Sequence, residues 1–176
     1  GDKFDETVEQ FPDKEALIVH HQNIRWTYKR LQEEVDTCAK ALLACGLEKG
    51  DRAGIWSPNR SEWTVMQFAT AKIGVILVNI NPSYRVHELE YALNQSGCKM
   101  LVTADIFKTS DYESMILELA PELMSARFGA LNSAKLPELK MVVSLADEPK
   151  KGLLSWKNLM TKASESTNEA LSERQA

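Results

Sequence analysis

The stretch TAKIGVILVNINPSYRVHELEYALNQSGCKMLV, residues 70–102, holds a strand, a helix and a second strand in succession. Val75 to Ile80 is an unbroken aliphatic run with one asparagine, the composition of a central parallel strand covered on both faces. Asn81-Pro82-Ser83 ends it, since proline cannot donate to a sheet ladder. Val86, Leu89, Ala92 and Leu93 then recur at spacings of three and four, which predicts a helix from Val86 to Gln95 with Gly97 as its stop. Met100 to Thr103 resumes as a strand. Strand, helix and strand in this order are the unit from which right-handed crossovers build a parallel sheet.

Upstream, a helix is expected from Thr27 to Cys45, because Tyr28, Leu31, Val35, Cys38, Ala39, Leu42 and Cys45 form one apolar stripe. Thr27 suits its N-cap and Gly46 the left-handed position after its end. Asp51 to Trp56 reads as a short buried strand. A helix from Ser61 follows; it is apolar on nearly every side and is expected to be deeply buried. Before these, Phe4 to Phe11 reads as a short helix closed by Pro12, and Ala16 to His20 as a strand entering a turn at Gln22-Asn23.

Downstream, a helix is predicted over Asp111 to Met124, a strand over Leu139 to Leu145 and a last helix over Leu154 to Ala163. Ser164 to Ala176 is polar and without periodicity, so residues 164–176 read as a linker after an α/β body spanning residues 1–163. The alternation predicts an α/β fold of layered parallel-sheet type. No internal repeat or low-complexity tract is present.

The 176 residues suit one domain or a large piece of one. A net charge of −4 is of the wrong sign to coat a phosphate backbone, which argues against nucleic acid as a partner. The three cysteines, Cys38, Cys45 and Cys98, have neither CxxC spacing nor paired histidines and read as reduced thiols. Residues 63–80 are apolar, but Gln67, Lys72 and Asn79 interrupt them, so no transmembrane segment is expected. The chain opens on Gly1 without a methionine or a signal-type stretch, so its start is read as a cloning or processing boundary.

Residues with a chemical repertoire mostly take structural readings. Gly46, Gly50 and Gly54 lack the Lys-Ser/Thr ending of a phosphate-binding loop and belong to a helix-to-strand turn. His87, Glu88 and Glu90 lie close together, yet there is no second histidine four residues on, so a solvated helix start is expected, with Glu88 favouring the dipole. His20-His21 reads as a surface pair at a strand end. Ser57 lacks the flanking glycines of a nucleophile elbow. The four tryptophans, 26, 56, 63 and 156, are assigned to the core.

Two blocks in one order carry a family resemblance. WTYKRLQEEVDTCAKALLACGLEKGDRAGIWSPN, residues 26–59, resembles the first conserved helix, glycine turn and strand of the AMP-forming acyl-CoA synthetases, within the adenylate-forming enzymes. Residues 70–102 are similar to the next block and are closest to the medium-chain type and its bacterial fatty-acyl relatives. The likeness runs from about Phe4 to about Leu159.

The resemblance implies that the chain is the N-terminal portion of the large domain of a two-step ligase. In the parent, a fatty-acid carboxylate attacks the α-phosphate of ATP, and the thiol of CoA then displaces AMP, with Mg2+ as the metal. The family's Ser/Thr/Gly-rich phosphate loop, magnesium glutamate, ribose aspartate and C-terminal lysine match no position here. No catalytic, cofactor-binding or metal residue is therefore assigned, and no ATP, Mg2+ or CoA is expected on this segment alone. Asn81, Pro82, Tyr84 and Arg85 follow a presumed central strand, on the side where such sheets hold ligands, and qualify at most for a supporting contact. The parent's expected compartment is the bacterial cytoplasm or the mitochondrial matrix. The alternative is a stand-alone, non-catalytic binding or assembly module, with self-association through exposed apolar surface.

Overall fold

The computed structural model describes residues 2–166 and Leu171. In chain order the elements are α1 (Asp2–Gln10), β1 (Glu15–Val19), β2 (Ile24–Thr27), α2 (Tyr28–Ala44), β3 (Arg52–Trp56), α3 (Ser61–Lys72), β4 (Ile76–Ile80), α4 (Val86–Ser96), β5 (Met100–Thr103), β6 (Ile106–Phe107), β7 (Ser110–Asp111), α5 (Tyr112–Leu119), β8 (Met141–Ser144), β9 (Leu154–Ser155) and α6 (Trp156–Thr161). They fall into two compact units. One takes Gly1–Lys49, Asn59–Val75 and Met160–Ala176, and the other takes Gly50–Pro58 and Ile76–Leu159.

The second unit is built on a five-stranded, wholly parallel sheet in the order β4-β3-β5-β8-β9. The first strand of this sheet therefore lies between the second and third, so the winding reverses at β3. Every residue of β5 and β8 is buried, which is why these short strands are runs of apolar and small residues. Gly54 sits in β3 opposite Val78 and Leu101. A Cβ there would come within 3.1 Å of Ile80 Cδ1, 3.2 Å of Leu101 Cδ1 and 3.3 Å of Cys98 Sγ, so the missing side chain is what lets those three groups close over the strand. On the same face, Trp56, Leu89, Leu93, Leu101, Tyr112 and Ile116 belong to one continuous core.

Three expectations are corrected here. The run ending at Ile80 forms β4, but β4 is an edge strand rather than a central one: Ile76 is 50% exposed and Asn79 is also exposed. β3 takes β4 on one side and β5 on the other, so the chain crosses back over β3 and leaves β4 outermost. The predicted helix at 111–124 stops at Leu119 and continues as a 3-10 turn, Pro121–Met124, because Pro121 removes an N–H and restricts the residue before it. The last predicted helix opens with a two-residue strand, β9, which completes the sheet before α6 begins.

The first unit is helical around a small hairpin. α2 runs where its stripe predicts, with Leu31, Val35, Cys38, Ala39 and Leu42 buried. Thr27 Oγ1 accepts from the Arg30 N–H at 3.2 Å, and Gly46 has φ +78°. β1 and β2 pair antiparallel through a 3-10 turn, His20–Gln22, that closes on Asn23 with φ +53°. α1 is fastened by stacking of Phe4 on Phe68 (centroids 4.3 Å apart) and by Asp5, whose Oδ1 meets Lys72 Nζ and Gln32 Nε2, each at 2.8 Å. Lys72 is itself buried and also reaches Asp36 Oδ1 at 2.6 Å.

α3 is less deeply set than its composition suggests. Val65, Met66 and Ala69 are buried, but Trp63 and Phe68 are only partly covered and Ala71 is exposed. Of the four tryptophans only Trp56 is fully buried; Trp26, Trp63 and Trp156 are half-buried. The expected linker, 164–176, begins inside a 3-10 turn, Lys162–Glu165, and its Leu171 is buried, while the rest of residues 167–176 lies outside the described residues.

Candidate functional site

Ligands of open parallel sheets bind outside the carboxyl ends of the strands, near the point where the winding reverses. In the second unit this edge carries the ends of β3, β4, β5 and β8, and it is closed by its own side chains. Trp56 Nε1 donates to the Asn81 carbonyl at 3.1 Å, and the ring meets Tyr112 edge-on at 4.4 Å. The Tyr112 hydroxyl donates to the Pro82 carbonyl at 2.8 Å. Burial raises the pKa of that phenol, with the Arg85 charge opposing.

Asn81 makes an Asx turn, its Oδ1 accepting from Ser83 N–H at 2.9 Å. Arg85 starts α4: its N–H donates to Glu88 Oε2 at 3.0 Å, and its Nη1 donates to Ser110 Oγ at 2.9 Å. Hydrogen bonds from the N–H groups of Glu88 itself and of Arg85 hold the Glu88 carboxyl below the usual carboxylate range. The geometry thus brings Asn81 and Pro82 together over Trp56 and Tyr112, while Tyr84, His87, Glu88 and Tyr91 line a shallow cleft of about 260 Å³. His87 and Glu88 are exposed at a helix start, the arrangement expected from sequence. Among the described residues, no group of three or more His, Cys, Asp and Glu side chains could hold a metal ion.

A polar network beside β8 has no sequence motif of its own. Glu113 is buried; Ser144 Oγ donates to its Oε1 at 2.5 Å and the Lys150 N–H to its Oε2 at 3.2 Å. Asp111 caps α5 through the Ser114 N–H at 2.9 Å and pairs with Lys150 Nζ at 2.6 Å. Burial pulls the Asp111 carboxyl up, but Lys150 and the two Ser114 donors outweigh it and hold the group below its ordinary range. The only available signal was Asp111 three residues before Ser114, a capping spacing.

The thiols offer no activated nucleophile. Burial pushes Cys45 up to about 11, with Lys162 opposing and Glu165 reinforcing, and it raises Cys38 and Cys98 as well. A second concavity, of about 450 Å³, lies in the first unit between β1 and the start of α3. His20 and His21 line it and are exposed, as expected of a pair at a strand end.

A parallel sheet whose winding reverses at β3 and whose carboxyl edge is closed by an Asn-Pro turn and an aromatic pair fits the fold of the adenylate-forming ligases. The chain belongs to the AMP-binding enzyme family, whose pattern matches residues 4–173. It is 50% identical over 145 residues to the bovine mitochondrial medium-chain acyl-CoA ligase ACSF2, covering 82% of this chain and 24% of that protein. It is 36% identical over 174 residues to Bacillus subtilis YngI, whose name assigns it provisionally to the acyl-CoA synthetases, covering 99% and 32%.

In structure, the anthranilate CoA ligase AuaEII in complex with anthranoyl-AMP superposes with a TM-score of 0.75 at 21% identity, over 91% of this chain and 27% of that one. The N-terminal domain of Mycobacterium tuberculosis FACL13 superposes with a TM-score of 0.69 at 20% identity, over 93% and 35%. The chain therefore spans about a quarter to a third of the length of these curated relatives. No helix among the described residues is long and apolar enough to cross a membrane.

Proposed function

We propose that this chain is the scaffold segment of an AMP-forming acid–thiol ligase that joins a fatty acid to CoA through an acyl-adenylate, and that the segment alone does not turn over. Residues 1–163 then belong to the large domain, and residues 164–176 lead toward the phosphate loop. The observation that carries this reading is the carboxyl edge of the sheet. The loops after β3 and β4 each place a proline at the strand end, Pro58 and Pro82, and the Asn81 and Pro82 carbonyls are already taken by Trp56 and Tyr112.

A triphosphate needs several converging N–H groups, and proline supplies none. The donor set at this edge does not fit ATP, and among the described residues no carboxylates gather for Mg2+, so no step of the reaction is routed through these residues. Their part is to hold the sheet against which the remainder of the ligase assembles. The name of its bovine relative suggests medium-chain acids as the parent's substrates; the compartment we propose for the parent is the mitochondrial matrix or the bacterial cytoplasm. The test is fatty-acid-dependent pyrophosphate release by the purified chain with ATP, Mg2+ and CoA. No release above a protein-free blank is expected, and sustained release would overturn the proposal.

A second reading, a non-catalytic binding or assembly module, draws on β4. This edge strand carries no charge or proline, and Ile76 is half exposed, so it lacks the usual protection against pairing with another copy. On this reading the scattering mass rises with concentration and Ile76→Lys restores the monomer. A wild-type chain that stays monomeric removes it.

A further inference from the structure

We propose that the groove between β1 and the start of α3 is a binding site for an amphipathic monoanion: an apolar chain lies along the hairpin wall and an anionic head sits at Arg60. The site lies wholly within the first unit, apart from the sheet edge discussed above. It does not rest on the ligase reading.

Three features carry the inference. The first is the lining. Leu17, Ile18, Val19 and Trp63 make an apolar floor and wall, and no acidic side chain lines the groove. Ile18 is 44% exposed there, although an isoleucine in a strand is normally covered. The volume of about 450 Å³ falls within the range of small-molecule sites, roughly 300–1,000 Å³.

The second is a cation held in place. Arg60 donates from Nε to Glu62 Oε2 at 3.3 Å and from Nη2 to Glu62 Oε1 at 3.1 Å, which fixes the guanidinium plane and leaves Nη1 without a partner among the described residues. A fixed guanidinium with a spare donor is suited to a carboxylate or a phosphate monoester head. Glu62 is kept ionised: burial pulls its carboxyl up, but the hydrogen bonds from Arg60, from its own backbone and from Gln22 prevail.

The third is that both walls are braced. Gln22, at the end of the hairpin turn, donates from Nε2 to Glu62 Oε2 at 2.9 Å, and its Oε1 accepts from the Ser61 N–H at 2.7 Å. One side chain thereby ties the β1–β2 turn to the first residues of α3 and sets the width of the groove. His20 and His21 stand at its rim, where each imidazole has an N–H to offer the same head group. The half-buried Trp63 gives the body of the ligand a flat apolar surface.

The experiment is calorimetric titration of the chain with decanoate, below its micelle concentration and without nucleotide. Decyltrimethylammonium serves as the probe of opposite charge. One saturable decanoate site is expected, with at least tenfold weaker binding of the cation. Ile18→Glu places a carboxylate on an exposed part of the wall, and Arg60→Gln removes the charge while keeping a donor; each should weaken decanoate at least tenfold. Thr64→Glu, on the opposite wall, gives the same readout if either variant loses its native circular dichroism. The proposal is overturned if decanoate shows no saturable binding, if the cation binds as well, or if the folded variants retain wild-type affinity. None of these outcomes bears on pyrophosphate release, so the two proposals stand or fall separately.

Discussion

Gly152 has φ +96°, and a Cβ there would lie 2.5 Å from the Leu123 carbonyl oxygen and 2.7 Å from its carbon. Backbone cannot yield as a side-chain tip can, so Gly152→Ala combines left-handed strain with a clash and should lower stability by at least about 2 kcal/mol in urea denaturation. Gly129, with φ +84° and nothing within 4 Å of where a Cβ would stand, isolates the strain alone, and Gly129→Ala should cost only about 1 kcal/mol. The thiols give a pH test at the same scale. Folding raises their pKa values above the unfolded value of about 8.5, so the stability they contribute is complete below that pH and declines as pH rises toward 11. Alkylation by iodoacetamide at pH 7.5 should accordingly be slow at all three cysteines and should accelerate on adding urea.

Among the elements, α2 and α4 were legible because their signals are local. Thr27 before the stripe and Gly46 and Gly97 after it are each decided by the next few residues, and Gly97 does take φ +65°. Thr27→Ala should therefore cost about 1 kcal/mol, measured as a fall in the thermal midpoint of roughly 2–4 °C. The place of β4 at the sheet edge was not legible, since an aliphatic run looks the same whether one or two strands flank it. Nor was the groove, because Gln22 and Glu62 meet across forty positions of sequence. Lys72, read only as an interruption in an apolar run, turns out to join α1, α2 and α3. Its ammonium is buried while Asp5 and Asp36 keep about a third of their side-chain surface in water. The two sides of this cluster should respond unequally. Lys72→Met leaves carboxylates that water can reach and should cost little, whereas the double variant Asp5→Asn, Asp36→Asn strands a buried cation and should cost about 3–5 kcal/mol by chemical denaturation.

For the whole molecule, the family was readable because two blocks occur in a fixed order, and the AMP-binding family pattern matches residues 4–173. The absence of assigned catalytic residues remains a proposal, and the pyrophosphate assay addresses it directly. The two units differ in how the chain enters them. The first is assembled from three separate stretches, the second from two, and the 3-10 turn Lys162–Glu165 packs on α2, more than a hundred residues earlier in the chain. Such interleaving means that no single cleavage can divide the polypeptide into two self-sufficient pieces. A protease nick in the long connection between α5 and β8 should leave fragments that co-elute under native conditions and part only in denaturant.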